Sequence, residues 1–452
     1  MTKSSKSLWA RFLFQDKGIL PGKKLLIIYL LLSVALLLLA FTDISWVFLI
    51  SVNILFILAS FFDLLFLPKR KDILVNRHVE NEIERGLRYQ ISLEFKNNSA
   101  YPCSFRIIDD LPQSFQNKFP VHGSAKPNSL SRLAYETTAT IRGEYELSKL
   151  YIRYTSKFGL WEKQMALEQT DTVKVIPDLT ETRDYLANAQ KFLLYEGLKI
   201  RREQSGTGEF SRVRNYVIGD DPRKINWRQT AKLQEVMANE YEPEHGKYIT
   251  ILIDCGRMMG AERKEGNRLE KTLEASITVA AAALKSGDYV GVLAFSNEIK
   301  VFVPPEKGMN QLQKILQSIY HLQADPKESN YALAMGYLQT VQKKRSLLLL
   351  FSDIHTFLHE ESTLHYIKRL RKKHLFLMIG IKDKSLEKET KLYPETVELA
   401  MRKSIAQQQV QVKKRKKAKW EAGGLVMMEA EEETLATNAV SQVIYWMNQG
   451  LL

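Results

Sequence analysis

Two carboxylates stand where an α/β sheet would present reactive groups. Asp254 follows the apolar run Tyr248–Ile253, and Asp353 comes just after Leu347–Phe351. If both runs are parallel strands, both acids emerge at strand carboxyl ends, beside the crevice where open α/β sheets bind ligands. Such a pair is a starting set for a divalent cation. An Asp after a strand is equally a helix N-cap. A second set is basic. Arg212, Arg214, Arg223, Lys224, Arg228 and Lys232 surround Trp227, close to Gly219-Asp220-Asp221-Pro222. Gly219 suits a tight turn, Asp220 or Asp221 can cap a helix, and Pro222 can open it. Arg223 and Trp227, four apart, then share a face. Trp227 is expected to bury itself against the α/β domain, as large aromatics mostly do. The arginines suit either internal acids or an acidic or phosphate partner. Asp220, Asp221, Arg223, Trp227 and Arg228 form the candidate partner-binding set.

No catalytic residue is assigned. Cys255, beside Asp254, has no nearby His and reads as a small buried residue. Gly206-x-Gly208 lacks the strand and further glycine of a nucleotide loop. The eight histidines are read as offering no H-x-x-x-H zinc pattern. Two cysteines, Cys103 and Cys255, make no disulfide framework, which suits a reducing compartment.

The elements that must position these residues fall into three parts. The first is apolar. Leu25–Phe41 carries no charge, and Ile44–Leu67 has only Asn53 and Asp63 as strongly polar residues. About 20 helical residues span a hydrocarbon core, so the two runs predict a transmembrane helical hairpin turning at Thr42, Asp43 and Ser45. Lys3, Lys6, Arg11, Lys17, Lys23 and Lys24 precede it, Lys69, Arg70 and Lys71 follow it, and its turn has no cation. The positive-inside rule therefore predicts two spans in the cell membrane with both termini cytoplasmic. Asp63 is expected near the interface.

Alternation with period two follows, as in Tyr89, Ile91, Leu93 and Phe95, with turn signals between short strands. This predicts a small antiparallel β-sandwich over 71–178. The last two hundred residues alternate apolar runs with helical patterns. Tyr248–Ile253, Tyr289–Phe295, Leu347–Phe351, Leu375–Ile381 and a fifth candidate, Leu425–Met428, read as buried strands. Alternation with helices predicts a doubly wound sheet covered on both faces. The basic run Lys413–Lys419 reads as a solvated helix end with affinity for anionic lipid.

Gly219-Asp220-Asp221-Pro222-Arg223-Lys224-Ile225-Asn226-Trp227-Arg228-Gln229-Thr230-Ala231-Lys232 resembles the signature of domain of unknown function 58. Arg142-Gly143-Glu144-Tyr145 and Phe158-Gly159-Leu160 resemble further segments of that family. The resemblance implies a von Willebrand factor A-like (Rossmann-like) C-terminal domain, often behind a transmembrane hairpin. It also implies partnership with a MoxR-type AAA+ ATPase and its client proteins in complex assembly or maturation. The von Willebrand A metal site uses Asp-x-Ser-x-Ser, a Thr and a second Asp. The resemblance sets Asp254, Ser329 and Asp353 at the first Asp, Thr and second Asp positions. Here the run reads Asp254-Cys255-Gly256-Arg257-Met258, so both serine ligands are missing. Mg²⁺ disfavours a thioether, so the expectation is no cofactor, with Mg²⁺ at a degenerate site as the alternative.

The chain of 452 residues thus divides into a basic tail (1–22), the hairpin (23–68), the β-sandwich (71–178), a linker carrying the signature (179–246) and the α/β domain (247–452). Its net charge is +14. The expected function is a membrane-anchored, cytoplasm-facing, protein-binding scaffold or adaptor with no catalytic site, held to lipid by its hairpin. A metal-dependent enzyme at Asp254 and Asp353 is one alternative. A nucleic-acid binder is another, disfavoured because no zinc-finger or RNA-stacking motif appears.

Overall fold

The computed structural model describes residues 18–41, 44–187, 209–242, 246–263, 266–360 and 363–448. The basic tail before Gly18, the Thr42–Asp43 turn and Gly206-x-Gly208 lie outside them. The chain forms two compact units, Met1–Ile176 and Pro177–Leu452.

In the first unit, strand β1 (Ile19–Pro21) leads into helix α1 (Lys23–Leu39), and α2 (Trp46–Ser60) continues as a 3₁₀ turn, Phe61–Phe66. Beyond Lys23 and Lys24 at the start of α1 and Asn53 within α2, both helices are predominantly apolar. Only Leu25 and Leu36 of α1, and Leu49 and Ser60 of α2, are buried. The Tyr29 and Phe56 rings stack at 6.0 Å between the two helices. By length and composition one run, Trp46–Asp72, is suited to cross a membrane.

The two helices are tied to one point of the β structure. The Gly22 N–H donates to the Leu160 carbonyl at 2.7 Å. The Leu160 and Trp161 N–H groups donate to Asp63 Oδ2 at 3.0 and 2.9 Å, and Ser156 donates to Oδ1. Asp63 is therefore buried and fully used, which an interfacial position alone did not predict. Gly22 must lack a side chain, because a Cβ there would come within 2.6 Å of the Gly159 carbonyl oxygen.

The β structure is two packed sheets. One runs β1-β10-β9-β5-β7, with β10 (Trp161–Ile176), β9 (Gly143–Thr155), β5 (Cys103–Asp109) and β7 (Val121–Ala125); β3 (Glu82–Glu84) pairs with β10. The other runs β2-β4-β8-β6, with β2 (Ile73–His78), β4 (Arg88–Asn97), β8 (Ser129–Ala139) and β6 (Phe115–Gln116). Alternate residues of facing strands, such as Leu93, Phe95, Phe105 and Ile152, fill the space between them. An ion pair joins the sheets through this core. Arg77 of β2 donates to Asp109 of β5 at 2.5 Å, and Tyr135 of β8 donates to the other Asp109 oxygen at 2.6 Å.

The second unit is built on a sheet in the order β17-β16-β13-β18-β19-β20. Its strands are β13 (Tyr248–Asp254), β16 (Tyr289–Phe295), β17 (Ile299–Glu306), β18 (Ser346–Phe351), β19 (Leu375–Ile381) and β20 (Val426–Ala430), while β14 (Glu262–Arg263) and β15 (Gly266–Asn267) pair apart from it. All pairings are parallel except β16 with β17. The fifth candidate strand is thus present, and the antiparallel edge β17 is an addition. Strand order reverses at β13, which has β16 on one side and β18 on the other. That is the switch point where α/β sheets open a crevice. The crossover helices include α4 (Arg268–Lys285), α5 (Met309–Ile319), α6 (Tyr331–Val341), α7 (Ile354–Phe357) and α8 (Thr363–Arg371). An insertion of α9 (Lys384–Lys391) and the long α10 (Val397–Ala422) precedes β20, and α11 (Leu435–Asn448) follows it. The Lys413–Lys419 run lies in the last turns of α10, as expected of a helix end.

The stretch read as a linker has structure of its own. Strands β11 (Glu209–Asn215) and β12 (Met237–Glu242) pair antiparallel. The signature fills the connection between them, as a 3₁₀ turn (Pro222–Lys224) and helix α3 (Trp227–Leu233).

Candidate functional site

Asp254 ends β13 and is 2% exposed. Its Oδ1 accepts the Gly256 N–H at 2.8 Å and the Ser329 hydroxyl. Its Oδ2 accepts the Tyr331 hydroxyl at 2.9 Å and the Ser352 hydroxyl at 2.5 Å. Two carboxylate oxygens offer about four lone-pair sites, and four protein donors occupy them. Burial raises the Asp254 pKa, and the Ser329, Ser352, Gly256 and Tyr331 hydrogen bonds pull it back.

The sequence explains this closure. Gly256 stands where the resemblance expects the first serine ligand. A Cβ at 256 would overlap the Ser329 hydroxyl oxygen, so the absent side chain is what lets Ser329 reach Asp254. Tyr331 and Ser352 complete the network and were not singled out from the sequence. Ser352 could have been, since it directly follows β18.

Asp353 is brought to the same crevice, and its oxygens are also engaged. Oδ2 accepts the Thr356 N–H at 2.9 Å and hydroxyl at 2.8 Å, capping α7. Oδ1 pairs with Arg268 of α4, which is itself buried and lies 3.5 Å from Asp383. A guanidinium therefore supplies the positive charge beside Asp353. Asp254, Ser329 and Asp353 in this arrangement do not fit a hard cation that wants about six oxygens. Among the described residues no three His, Cys, Asp or Glu side chains group as metal ligands. Cys255 is fully buried.

The signature connection is built the opposite way. Arg214 grips Asp220 with two hydrogen bonds, at 2.8 and 2.9 Å, and the Val217 N–H adds a third at 3.0 Å. The Arg214 hydrogen bonds hold the Asp220 carboxyl below the usual range. Asp221 caps the 3₁₀ turn through the Arg223 N–H at 3.0 Å. Asn226 caps α3 through the Gln229 N–H at 3.1 Å and donates to Asn239 at 2.8 Å. Thr230 accepts the Met237 N–H at 3.0 Å. Gly219 takes φ +109°, which its missing Cβ permits.

With the inner face fixed on β12 by Thr230, the outer face of α3 carries Trp227, Arg228, Ala231 and Lys232, at the i, i+1, i+4 and i+5 positions of a helix. All four are exposed. Trp227 is 70% exposed, which corrects the expectation that it packs against the α/β domain. The turn before it adds Ile218, 99% exposed. The helix is too short and too tightly held on its Thr230 side to bury residue 227 as well. Arg212 pairs with Glu240 at 2.6 Å. Among the described residues Arg223, Arg228 and Lys232 have no acidic partner.

The family match includes this segment. Residues 212–422 match the family model "Protein of unknown function DUF58". The span runs from the signature hairpin to the end of α10. The uncharacterized protein YeaD of Bacillus subtilis (strain 168) is 24% identical over 265 residues, 56% of this chain and 63% of that protein. The chain thus spans less than two thirds of the relative's length. Among solved structures, the conserved hypothetical protein BatB from Bacteroides thetaiotaomicron is 16% identical, with TM-score 0.31, over 45% of this chain and 100% of that one. An aerotolerance-related membrane protein from Bacteroides fragilis NCTC 9343, carrying multiple mutations to serines, is 14% identical, with TM-score 0.29, over 44% of this chain and 100% of that one. At those scores neither carries an argument about function.

Proposed function

We propose that the chain is a membrane-anchored scaffold or adaptor without a catalytic site, and that its partner docks on the outer face of α3. The observation that carries this reading is Trp227, Arg228, Ala231 and Lys232 exposed on a loop whose inner polar groups are internally satisfied. An exposed Trp beside unpaired cations is the composition of a binding hot spot. Asp220 and Asp221 act by positioning the loop, and Arg223, Trp227 and Arg228 touch the partner. The partner is an acidic surface on a MoxR-type AAA+ ATPase, with client proteins handled in the same complex. The strand order around β13 supports the von Willebrand A-like reading of the second unit. The metal-dependent alternative finds no support in carboxylates whose oxygens are taken by protein donors.

The anchor is a hairpin of two spans, α1 and α2, with both termini cytoplasmic. Its support is apolar side chains left uncovered along both helices, with entry and exit tied to Leu160. A buried helix would cover such residues, whereas lipid accepts them. Three experiments test the reading. Carbonate extraction and outside-only lysine labelling of intact cells are expected to leave the protein in the membrane and its lysines beyond Pro68 unmodified. Purified detergent-solubilised protein is expected to bind the purified ATPase, and Trp227→Ala with Arg228→Ala to remove that binding. Labelled lysines in the β-sandwich, or binding indifferent to both substitutions, would defeat it.

A further inference from the structure

His355, Thr356, Phe357, Leu358 and His359 place two imidazoles four residues apart, an H-x-x-x-H run that corrects the expectation of no such pattern. Both side chains are exposed, and their ring centroids lie 5.0 Å apart at an interplanar angle of 38°. A zinc-type ion sits about 2.1 Å from each imidazole nitrogen, so two rings sharing one ion at a tetrahedral angle have centroids roughly 5 Å apart. The backbone that carries them is held from below. Ile354, Phe357 and Leu358 are buried in the core, and Asp353 caps the turn while paired with Arg268. The ring separation therefore matches that of two imidazoles sharing one ion, on a backbone that the core holds in place.

We propose that His355 and His359 form a surface chelate for an imidazole-preferring divalent ion such as Zn²⁺, Ni²⁺ or Cu²⁺, with water completing the coordination. The site is separate from Asp254 and independent of the partner-binding face. Carboxylate-preferring Mg²⁺ is not its ligand. Lys416 of α10 controls access. Its ammonium lies 2.8 Å from His359 Nδ1, and an ammonium only donates, so Nδ1 is the acceptor and the proton sits on Nε2. The free lone pair of that tautomer is the one Lys416 covers. An incoming ion displaces the ammonium, and so releases this contact between α10 and the α7 turn.

The test is titration calorimetry of the full chain in detergent, without a histidine tag, using the metal chlorides alone. One equivalent of Ni²⁺ or Zn²⁺ is expected to bind. His355→Ala and His359→Ala are each expected to weaken it by more than the roughly tenfold that an outer-sphere partner costs. Lys416→Ala is expected to tighten it, since both the competing donor and a repelling charge are gone. All three positions are at the surface, so melting temperatures without metal should stay together. An affinity unchanged in the double histidine variant, or no saturable binding even in Lys416→Ala, overturns the proposal.

Discussion

The crevice at Asp254 and the outer face of α3 hold the two groups of residues that the sequence marked as chemically able, and they use them in opposite ways. At the crevice every marked side chain is turned inward and satisfied. Asp254 takes four donors, and Asp353 takes Thr356 and Arg268. On α3 the acids turn inward to build the loop, while the aromatic and the cations point to solvent. The same residue types give a structural lock in one place and a recognition surface in the other. What differs is whether a partner within the chain can reach each group.

The largest expected effect is at the lock. Asp254→Ala leaves three hydroxyls and an N–H without their acceptor in the interior, and should lower stability by about 3–5 kcal/mol, read from denaturant unfolding of the full chain. If the loss is below about 1 kcal/mol, the network is not structural and the contrast with α3 fails. Arg268→Met should cost a similar amount, because Asp353 then keeps a charge with no cation.

A smaller effect is pH-linked and comes from the same sheet. Burial pushes the His374 imidazole, which meets Ser346 at 2.9 Å, down from 6.5 to about 4. Between those values the unfolded chain binds more protons than the folded one, so stability falls as pH falls from 6.5 toward 4. The loss should reach roughly 3 kcal/mol and flatten in His374→Asn. An unfolding midpoint insensitive to pH across that window would contradict a neutral buried ring.

Next comes Gly256→Ala. Its Cβ would overlap the Ser329 hydroxyl, and overpacking of this kind costs typically about 1–3 kcal/mol. Adding Ser329→Gly should recover part of that loss if Ser329 is the obstacle. Smallest of all is the stability change in Trp227→Ala, expected within about 0.5 kcal/mol, since this side chain is exposed. A large destabilisation there would mean that Trp227 is covered after all.

Much of the architecture was legible because burial leaves a period. Strands β13, β16, β18 and β19 are continuous apolar runs, since both faces of a parallel sheet are covered. Edge strand β17 is half exposed and contains Pro304 and Pro305, so its pattern carried no such signal. The α9–α10 insertion was missed for a related reason: of α10 only Ala406 and Trp420 are buried, and a helix so little buried shows no apolar stripe. At the candidate site, strand ends located Asp254 and Asp353. What they bond to was not legible, because Ser329, Tyr331 and Arg268 reach the crevice from other helices and loops. Trp227 was misread because a size-based preference for burial ignores how short its helix is.

The most direct measurement is the affinity of the detergent-solubilised chain for the purified ATPase, without nucleotide, for wild type and for Trp227→Ala with Arg228→Ala, each with and without a divalent-ion chelator. Hot-spot truncations cost about 2–4 kcal/mol, so the double variant should bind at least thirtyfold more weakly, with the chelator making no difference. Binding that survives both substitutions and disappears on chelation would place recognition at a metal-dependent site away from α3 instead.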